Sequence, residues 1–273
     1  MTNPLEFVPG DKSWFIRVAF LNFLRGIKTP LPDDPNDDIR SFGGALDSWG
    51  GPVIDVGESG TAFRFLQFFA WKTKLDKRFT LGAMLSARNI CRDPEIVNLS
   101  QKQLLALDNG TSQWASAAAL CGDPVRLTNP PAKLALTYEA LDAVSPDPIR
   151  VDRTLLRQAR AFQEALTSGH MDFTPLHSED FCFAYAFGLV SAEEGMAKWP
   201  SLSGHESNRL DAMPAQMKLL LDNGVISSVD HRVVQALSMF ALVNKIPFTV
   251  NQPRCAAKSW PRFWNFLSAV IES

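Results

Sequence analysis

Short apolar segments with the character of strands alternate with longer helical segments along this chain. Residues 52–56 are predicted to form a strand, and the strongly apolar segment 62–71 that follows is predicted to form a helix. A predicted helix that ends close to a glycine recurs at Gly50, Gly110 and Gly224. Repeated strand–helix units are typical of the α/β class. The pattern alone leaves open whether the sheet is open, doubly wound or folded into prisms.

The other elements are predicted from the same periodicities. Further helices are predicted at residues 15–24, 37–50, 96–107, 112–121, 133–141, 155–166, 181–192, 207–221, 232–243 and from 259 onward. Further strands are predicted at residues 79–81, 124–127, 149–151, 171–175, 197–202 and 247–250.

Length and charge limit the classes of function. A chain of 273 residues is long for a single core and suits two lobes. The formal net charge of −2 argues against a general nucleic-acid binder, which usually carries a basic excess. No apolar run has the roughly 18 residues of a transmembrane helix, and the first residues lack the pattern of a signal peptide. We therefore expect a cytoplasmic protein with no membrane and no nucleic-acid partner.

The cysteines and histidines do not form a metal-binding pattern. Cys91, Cys121, Cys182 and Cys255 are widely spaced, and none of the four histidines has ligand spacing with them. We expect free thiols and no metal site.

Several segments place Lys or Arg beside small or hydroxyl residues at the start of a predicted helix. Lys12, Ser13 and Arg17 open the first helix, and a Gly-Glu-Ser-Gly-Thr turn at residues 57–61 joins a strand to the next helix. Helix N-termini and clustered cations together bind anionic oxygens. Each segment taken alone is also explained by helix capping or a solvated charge. Their number and order favour an anion-binding site.

The order and content of these segments resemble the 5-enolpyruvylshikimate-3-phosphate synthase family, the enolpyruvyl transferases of the shikimate pathway. The resemblance implies a two-lobed α/β fold of repeated strand–helix units with reduced sheets. The lobes are expected at residues 11–173 and at 174–273 together with 1–10. The implied reaction transfers the enolpyruvyl group of phosphoenolpyruvate to a hydroxyl of shikimate 3-phosphate, or of a similar small anionic acceptor, with release of phosphate. No cofactor is implied, and the oligomeric state stays open.

The resemblance assigns roles in the first lobe residue by residue. Lys12, Ser13 and Arg17 match the opening lysine, serine and arginine that contact the acceptor and the donor. Gly60, followed by Thr61, matches the glycine whose main chain meets phosphoenolpyruvate.

A hydroxyl-rich segment and one further arginine complete the first lobe. Thr111, Ser112 and Gln113 match a Ser-Ser-Gln segment that holds the phosphate and ring of the acceptor. A donor-side arginine is expected after the strand at residues 79–81, where both Arg88 and Arg92 are candidates. The local sequence favours Arg88.

The second lobe is expected to contribute donor ligands and a proton-transfer group. Glu206 and Arg209 match the family's Lys-Glu-x-x-Arg segment, Arg232 matches the arginine of Asp-His-Arg, and Lys258 matches a late lysine. Proton transfer is assigned to Glu206 and Lys12.

Two departures from the family pattern bear on activity. The family aspartate proposed as the base at the acceptor hydroxyl falls in a stretch that this sequence lacks, and Glu58 stands where the family has asparagine. A carboxylate at Glu58 would repel an anion unless it faces away or pairs with a cation. The alternative function is therefore a non-catalytic anion-binding or regulatory relative.

Overall fold

A computed structural model describes residues 3–107, 112–123, 125–202 and 208–272. The chain divides into two compact units. The first, called here the N-terminal unit, is Gly10–Arg150, and the second, the C-terminal unit, combines Met1–Pro9 with Val151–Ser273.

The N-terminal unit is mainly helical. A 3₁₀ helix at Pro94–Asn98 precedes its fifth α-helix. Its elements are α1 (Lys12–Leu24), α2 (Asp37–Asp47), β1 (Val53–Asp55), α3 (Gly60–Lys72), β2 (Arg78–Thr80), α4 (Ala83–Ser86), α5 (Gln101–Leu107), α6 (Gln113–Leu120) and α7 (Ala132–Asp142).

The C-terminal unit has the same character. Its 3₁₀ helices are Pro4–Phe7, Ser178–Asp180, Pro200–Leu202 and Pro253–Lys258. Its other elements are α8 (Arg153–Ser168), α9 (Phe181–Ala186), α10 (Ala192–Lys198), α11 (Arg209–Asn223), β3 (Val225–Ile226), α12 (His231–Val243), β4 (Thr249–Val250) and α13 (Phe263–Ile271).

Among the residues described, each unit contains one pair of very short parallel strands. In the N-terminal unit β1 pairs with β2, so that Val53 faces Arg78. In the C-terminal unit β3 pairs with β4, so that Val225 faces Thr249. The described structure is thus mixed α/β, as the sequence predicted, and its few strands are consistent with the reduced sheets that the resemblance implied. Parallel pairing also places the chain segments that follow the two strands of each pair at the same edge.

Aromatic side chains fill the core of the N-terminal unit. Phe20 on α1 is fully buried, and its ring centroid lies 5.6 Å from that of Phe65 and 6.0 Å from that of Phe69, both on α3. Trp71 stacks on the buried Trp114 of α6 at 5.9 Å. Side chains from these helices thus bury the apolar face of α1, the main stabilising term.

In the C-terminal unit the beginning of the chain packs against its end. Trp260 is fully buried and donates from Nε1 to the main-chain oxygen of Phe7 at 2.7 Å. The guanidinium of Arg262 lies 4.3 Å from the ring centroid of Phe7. These contacts explain why residues 1–9 group with residues 151–273.

Some predicted elements were wrong. The predicted helix at 181–192 ends at Ala186, and residues 125–127, 149–151, 171–175 and 197–202 form no strand element. Ser191 caps α10 by accepting from the main-chain nitrogen of Glu194, whose carboxylate accepts from that of Ser191. This capping box starts a helix that continues through Lys198.

The boundary between the two units falls earlier than the boundary drawn between the expected lobes. The sequence placed the second lobe after residue 173, whereas the structural units divide after Arg150. The units divide there because α8 packs against α12 and therefore belongs to the C-terminal unit. Whether the units act as the two lobes of a transferase stays a prediction.

Two expectations about the whole chain concern thiols and membranes. The four cysteines are free thiols, as predicted. None of the helices described combines the length and the apolar character that crossing a membrane requires.

Replacing Phe20 with alanine should destabilise the N-terminal unit. We expect Phe20→Ala to lower the free energy of unfolding by about 3–5 kcal/mol, because it empties a fully buried ring site. Val144→Ala is the control, since Val144 is 94% exposed and should change stability by less than about 0.5 kcal/mol. Urea unfolding followed by tryptophan fluorescence measures both, and equal losses in the two variants would contradict the assigned core.

Candidate functional site

The segments that follow β1 and β2 lie side by side in the N-terminal unit. The main-chain nitrogen of Gly82 donates to the oxygen of Gly57 at 2.7 Å, which extends the contact beyond the strands. Gly57 has a φ of +51°, a conformation that glycine adopts without strain. Ser59 then caps α3 through a hydrogen bond from the main-chain nitrogen of Ala62 at 3.3 Å. The turn that was predicted to bind the donor therefore leads into the first turn of α3.

Two guanidinium groups converge on Gly60. Arg64 donates from Nη1 to the oxygen of Gly60 at 3.2 Å and to Oε1 of Gln113 at 2.6 Å. A Cβ built on Gly60 would lie 2.9 Å from Nη1 of Arg64 and 3.4 Å from Nη1 of Arg88. A side chain at this position would have to push the Arg64 guanidinium aside. We call Gly60, Arg64, Arg88 and Gln113 the Gly60 cluster.

The geometry separates the two candidate arginines after β2. Arg88 is the one whose guanidinium reaches Gly60, whereas that of Arg92 lies 5.9 Å from the ring centroid of Phe63. Thr61, in the first turn of α3, is half-buried. The predicted residues Gly60, Arg88 and Gln113 thus come together.

Arg64 was not among the predicted site residues. Its signal is its position four residues after Gly60, one helical turn along α3. Its guanidinium lies 5.9 Å from the ring centroid of Trp114, a cation–π contact that helps to hold it.

Both carboxylate oxygens of Glu58 accept hydrogen bonds from main-chain nitrogens. Its Oε1 accepts from the main-chain nitrogen of Met84 at 3.1 Å, and its Oε2 accepts from that of Leu85 at 2.7 Å. The carboxylate therefore caps α4, and its acceptor oxygens are turned toward that helix.

Ser112 has the features of a ligand residue. Its φ of +60° is left-handed, and its side chain does not cap α6. The residue is fully buried, and its Oγ has no hydrogen-bond partner among the residues described. A buried hydroxyl without a partner costs about 1–3 kcal/mol. Thr111, predicted beside it, lies outside the described residues.

Lys12 and Ser13 lie in the first turn of α1 with defined partners. Asp11 caps the helix by accepting from the main-chain nitrogen of Ser13 at 2.9 Å. Lys12 forms a 2.5 Å ion pair with Asp38 of α2. The Oγ of Ser13 accepts from Nζ of Lys133 at 3.1 Å. A third helix, α7, thus brings a second lysine to this position.

Arg17 is buried, with neutral groups accepting its hydrogen bonds. It is 2% exposed and donates to Oγ1 of Thr137 at 2.7 Å and to Oγ of Ser116 at 3.2 Å. It also donates to the main-chain oxygens of Ser13 and Lys133. Burial lowers the pKa of Arg17 to about 10, against a smaller opposing effect of Asp11. These bonds tie α1 to α6 and α7, and they use four of the five N–H donors of Arg17.

Asp230 organises the corresponding region of the C-terminal unit. As the N-cap of α12 it accepts from the main-chain nitrogen of Arg232 at 2.7 Å. It also accepts from Nε of Arg209 at 2.8 Å and from Nη2 at 3.5 Å. Burial is the largest single influence on the pKa of Arg209 and lowers it, but the charge and hydrogen bond of Asp230, together with Cys182 and Glu179, outweigh it, so the pKa is raised.

Arg232 is a buried cation with one guanidinium nitrogen unsatisfied among the described residues. The residue is 6% exposed, and its Nη2 lies 3.9 Å from Oε2 of Glu179. Its Nη1 is buried without a hydrogen-bond partner in the part of the chain that is described. A charged donor is left unsatisfied in this way only at considerable cost. A bound anion would remove that cost.

Lys258 lies at the end of the 3₁₀ helix that follows β4. Gln235 of α12 donates from Nε2 to the oxygen of Ala256 at 2.9 Å and to Oγ of Ser259 at 3.1 Å. These bonds hold the segment that carries Lys258 against α12, the helix that carries Arg232. The two predicted donor ligands therefore lie on adjacent segments.

Cys182 and Glu206 are two further residues of the C-terminal unit. Burial raises the pKa of Cys182 to about 12, with Arg209 partly opposing the effect, so its thiol is not a nucleophile near neutral pH. Glu206 lies outside the described residues, and its predicted role is untested.

A comparison with family models gives a match over part of the chain. The model described as EPSP synthase (3-phosphoshikimate 1-carboxyvinyltransferase) matches residues 219–267. This range contains the β3–β4 pair and α12, with Arg232 and Lys258. The match supports a relationship to EPSP synthases over this segment. Searches of curated proteins and of solved structures found no match.

Removing the Ser112 hydroxyl should stabilise the protein. We expect Ser112→Ala to raise the free energy of unfolding by about 1 kcal/mol, because it removes a buried polar group that lacks a partner. Ser116→Ala is the matched control. Its hydroxyl bonds Arg17 and Thr137, so its loss should cost about 1–2 kcal/mol.

Urea unfolding of both variants without ligand measures the difference. A loss of stability in Ser112→Ala as large as that in Ser116→Ala would show that the Ser112 hydroxyl has a structural role.

Proposed function

We propose that this chain transfers the enolpyruvyl group of phosphoenolpyruvate to a hydroxyl of shikimate 3-phosphate or a similar small anionic acceptor. The single observation that carries the proposal is Arg232, a buried arginine with an unsatisfied Nη1. It lies inside the segment that matches EPSP synthases. A buried guanidinium without a hydrogen-bonded carboxylate suits a carboxylate or phosphate ligand.

Each unit, taken by itself, has cations that could bind the donor. The C-terminal unit supplies Arg232 and Lys258, with Arg209 held by Asp230. The N-terminal unit supplies Arg64 and Arg88 at the start of α3. Phosphoenolpyruvate carries a phosphate and a carboxylate, so several cations are needed to offset its charge.

The proposed acceptor ligands are hydroxyl and amide groups of the N-terminal unit. Ser112 offers an unpartnered hydroxyl, Gln113 offers an amide already oriented by Arg64, and Ser13 lies beside Lys133. Thr111 and Thr61 are included from the family resemblance. Such a set suits an acceptor that has both hydroxyls and an anionic group.

The proposed reaction is an addition followed by an elimination. The acceptor hydroxyl attacks the central carbon of phosphoenolpyruvate, and its methylene carbon takes up a proton. The adduct then loses phosphate and a proton from the new methyl group, which gives the enol ether. We assign proton transfer to Lys12, which Asp38 holds in place, and to Glu206.

Of the two sequence features that favoured the non-catalytic alternative, one is now weaker. Glu58 was one of its two supports, and its hydrogen-bonded oxygens face α4. The other support, the missing family aspartate, remains. Turnover is therefore the property to measure.

Phosphorus NMR tests the reaction directly. With phosphoenolpyruvate and shikimate 3-phosphate we expect inorganic phosphate and a new enolpyruvyl ether signal. Lys12→Ala should abolish both products, whereas Lys218→Ala, a change at an exposed lysine of α11, should leave them unchanged. Unchanged spectra with the wild-type protein would reject this acceptor, and binding of phosphoenolpyruvate without turnover would favour the non-catalytic alternative.

The donor ligands give a second prediction. We expect Arg232→Met and Lys258→Met each to weaken phosphoenolpyruvate binding about 10- to 100-fold, because each removes a charge-assisted hydrogen bond of about 1.5–3 kcal/mol. Arg262→Met is the control, since it removes an exposed cation of the same unit that lies over Phe7. Isothermal titration calorimetry measures all three, and unchanged affinity in the first two would refute their assignment.

A further inference from the structure

Glu58 connects the two loops that meet at the Gly60 cluster. It follows β1, yet both of its carboxylate oxygens accept hydrogen bonds from α4, which follows β2. The N-cap of α4 is Gly82, which has no side chain to cap the helix. A Cβ on Gly82 would overlap the Glu58 carboxylate. Glycine at this position therefore makes room for a cap that comes from the other loop.

The hydrogen bonds to Glu58 are linked to Arg88 through one residue. Leu85 is fully buried, and its main-chain nitrogen donates to Glu58 at 2.7 Å. Its main-chain oxygen accepts from the nitrogen of Arg88 at 3.2 Å. The guanidinium of Arg88 then reaches Gly60. Glu58 and Gly60 are two residues apart in the chain. The hydrogen bonds from Glu58 through Leu85 therefore lead to an arginine that lies beside the same stretch of chain.

The short helix needs such support. With four residues, α4 forms a single turn, and an isolated turn of helix is unstable because nucleation is costly. Hydrogen bonds from main-chain nitrogens to a carboxylate are about twice as strong as neutral ones. The carboxylate therefore stabilises the turn from which Arg88 extends.

We infer that Glu58 is a positioning residue that sets the Arg88 guanidinium at Gly60 and thereby sets the affinity of the Gly60 cluster for the phosphate-bearing donor. The inference rests on the proposed function for the identity of the ligand. The position of Arg88 can be measured without any ligand.

Arginine labelling tests the position of Arg88. Phenylglyoxal modification read by mass spectrometry should be several-fold faster at Arg88 in Glu58→Gln than in the wild-type protein. Arg126, whose guanidinium pairs with Asp142, serves as the internal reference, and Glu164→Gln, at an exposed residue of the C-terminal unit, as the charge-matched control. Unchanged labelling of Arg88 would overturn the inference.

Should Glu58→Gln fail to fold, Gly82→Ala provides the same test. The added methyl group displaces the carboxylate, so it should also speed the labelling of Arg88. Adding Glu58→Ala to Gly82→Ala removes the overlap and should restore part of the stability that Gly82→Ala loses, while the loss of the cap remains. Absence of this restoration would contradict the contact on which the inference depends.

A double-mutant cycle tests the effect on the ligand. Glu58→Gln should weaken phosphoenolpyruvate binding about 10-fold in the wild-type background and leave it unchanged in the Arg88→Met background. An equal loss in both backgrounds would show that Glu58 does not act through Arg88. If the wild-type protein does not bind phosphoenolpyruvate, the proposed function fails and the labelling result alone decides the role of Glu58.

Discussion

Parallel pairing of very short strands determines where the candidate ligand residues lie in both units. The β1–β2 pair brings the turn that contains Gly60 beside the segment that contains Arg88. The β3–β4 pair does the same for α12, with Arg232, and for the 3₁₀ helix that ends at Lys258. Because chain segments that leave parallel strands at the same end stay adjacent, two or three residue pairs are sufficient to align them.

The hydrogen-bond partners of the arginines distinguish structural arginines from candidate ligands. Arg17 has four hydrogen bonds to protein acceptors and links three helices. Arg209 is held by the carboxylate of Asp230. Arg232 is buried like Arg17, yet its Nη1 has no partner among the described residues. All three occur in segments that resemble the family, so sequence position alone did not distinguish their roles.

The sequence predicted much of the local structure and less of the contacts. Periodicity and glycine positions located most helices, and the resemblance brought Gly60, Arg88 and Gln113 into one list. Arg64 was missed because its role depends on Gln113, 49 residues away in the chain. The orientation of Glu58 depends likewise on main-chain nitrogens 26 and 27 residues away. Such long-range contacts leave no periodic pattern in a sequence.

Reduced sheets are compatible with the proposed anion-binding residues, because the two short parallel pairs that align the segments carrying them are retained. The resemblance implies that strand segments are missing after Gly50, Gly110 and Gly224, yet the candidate ligands are on helix starts and on the loops behind them. Those helix starts are held by hydrogen bonds within the loops, as Ser59 and Asp230 show. Packing between helices buries the apolar faces that a larger sheet would cover. Loss of sheet edges therefore need not remove the cations.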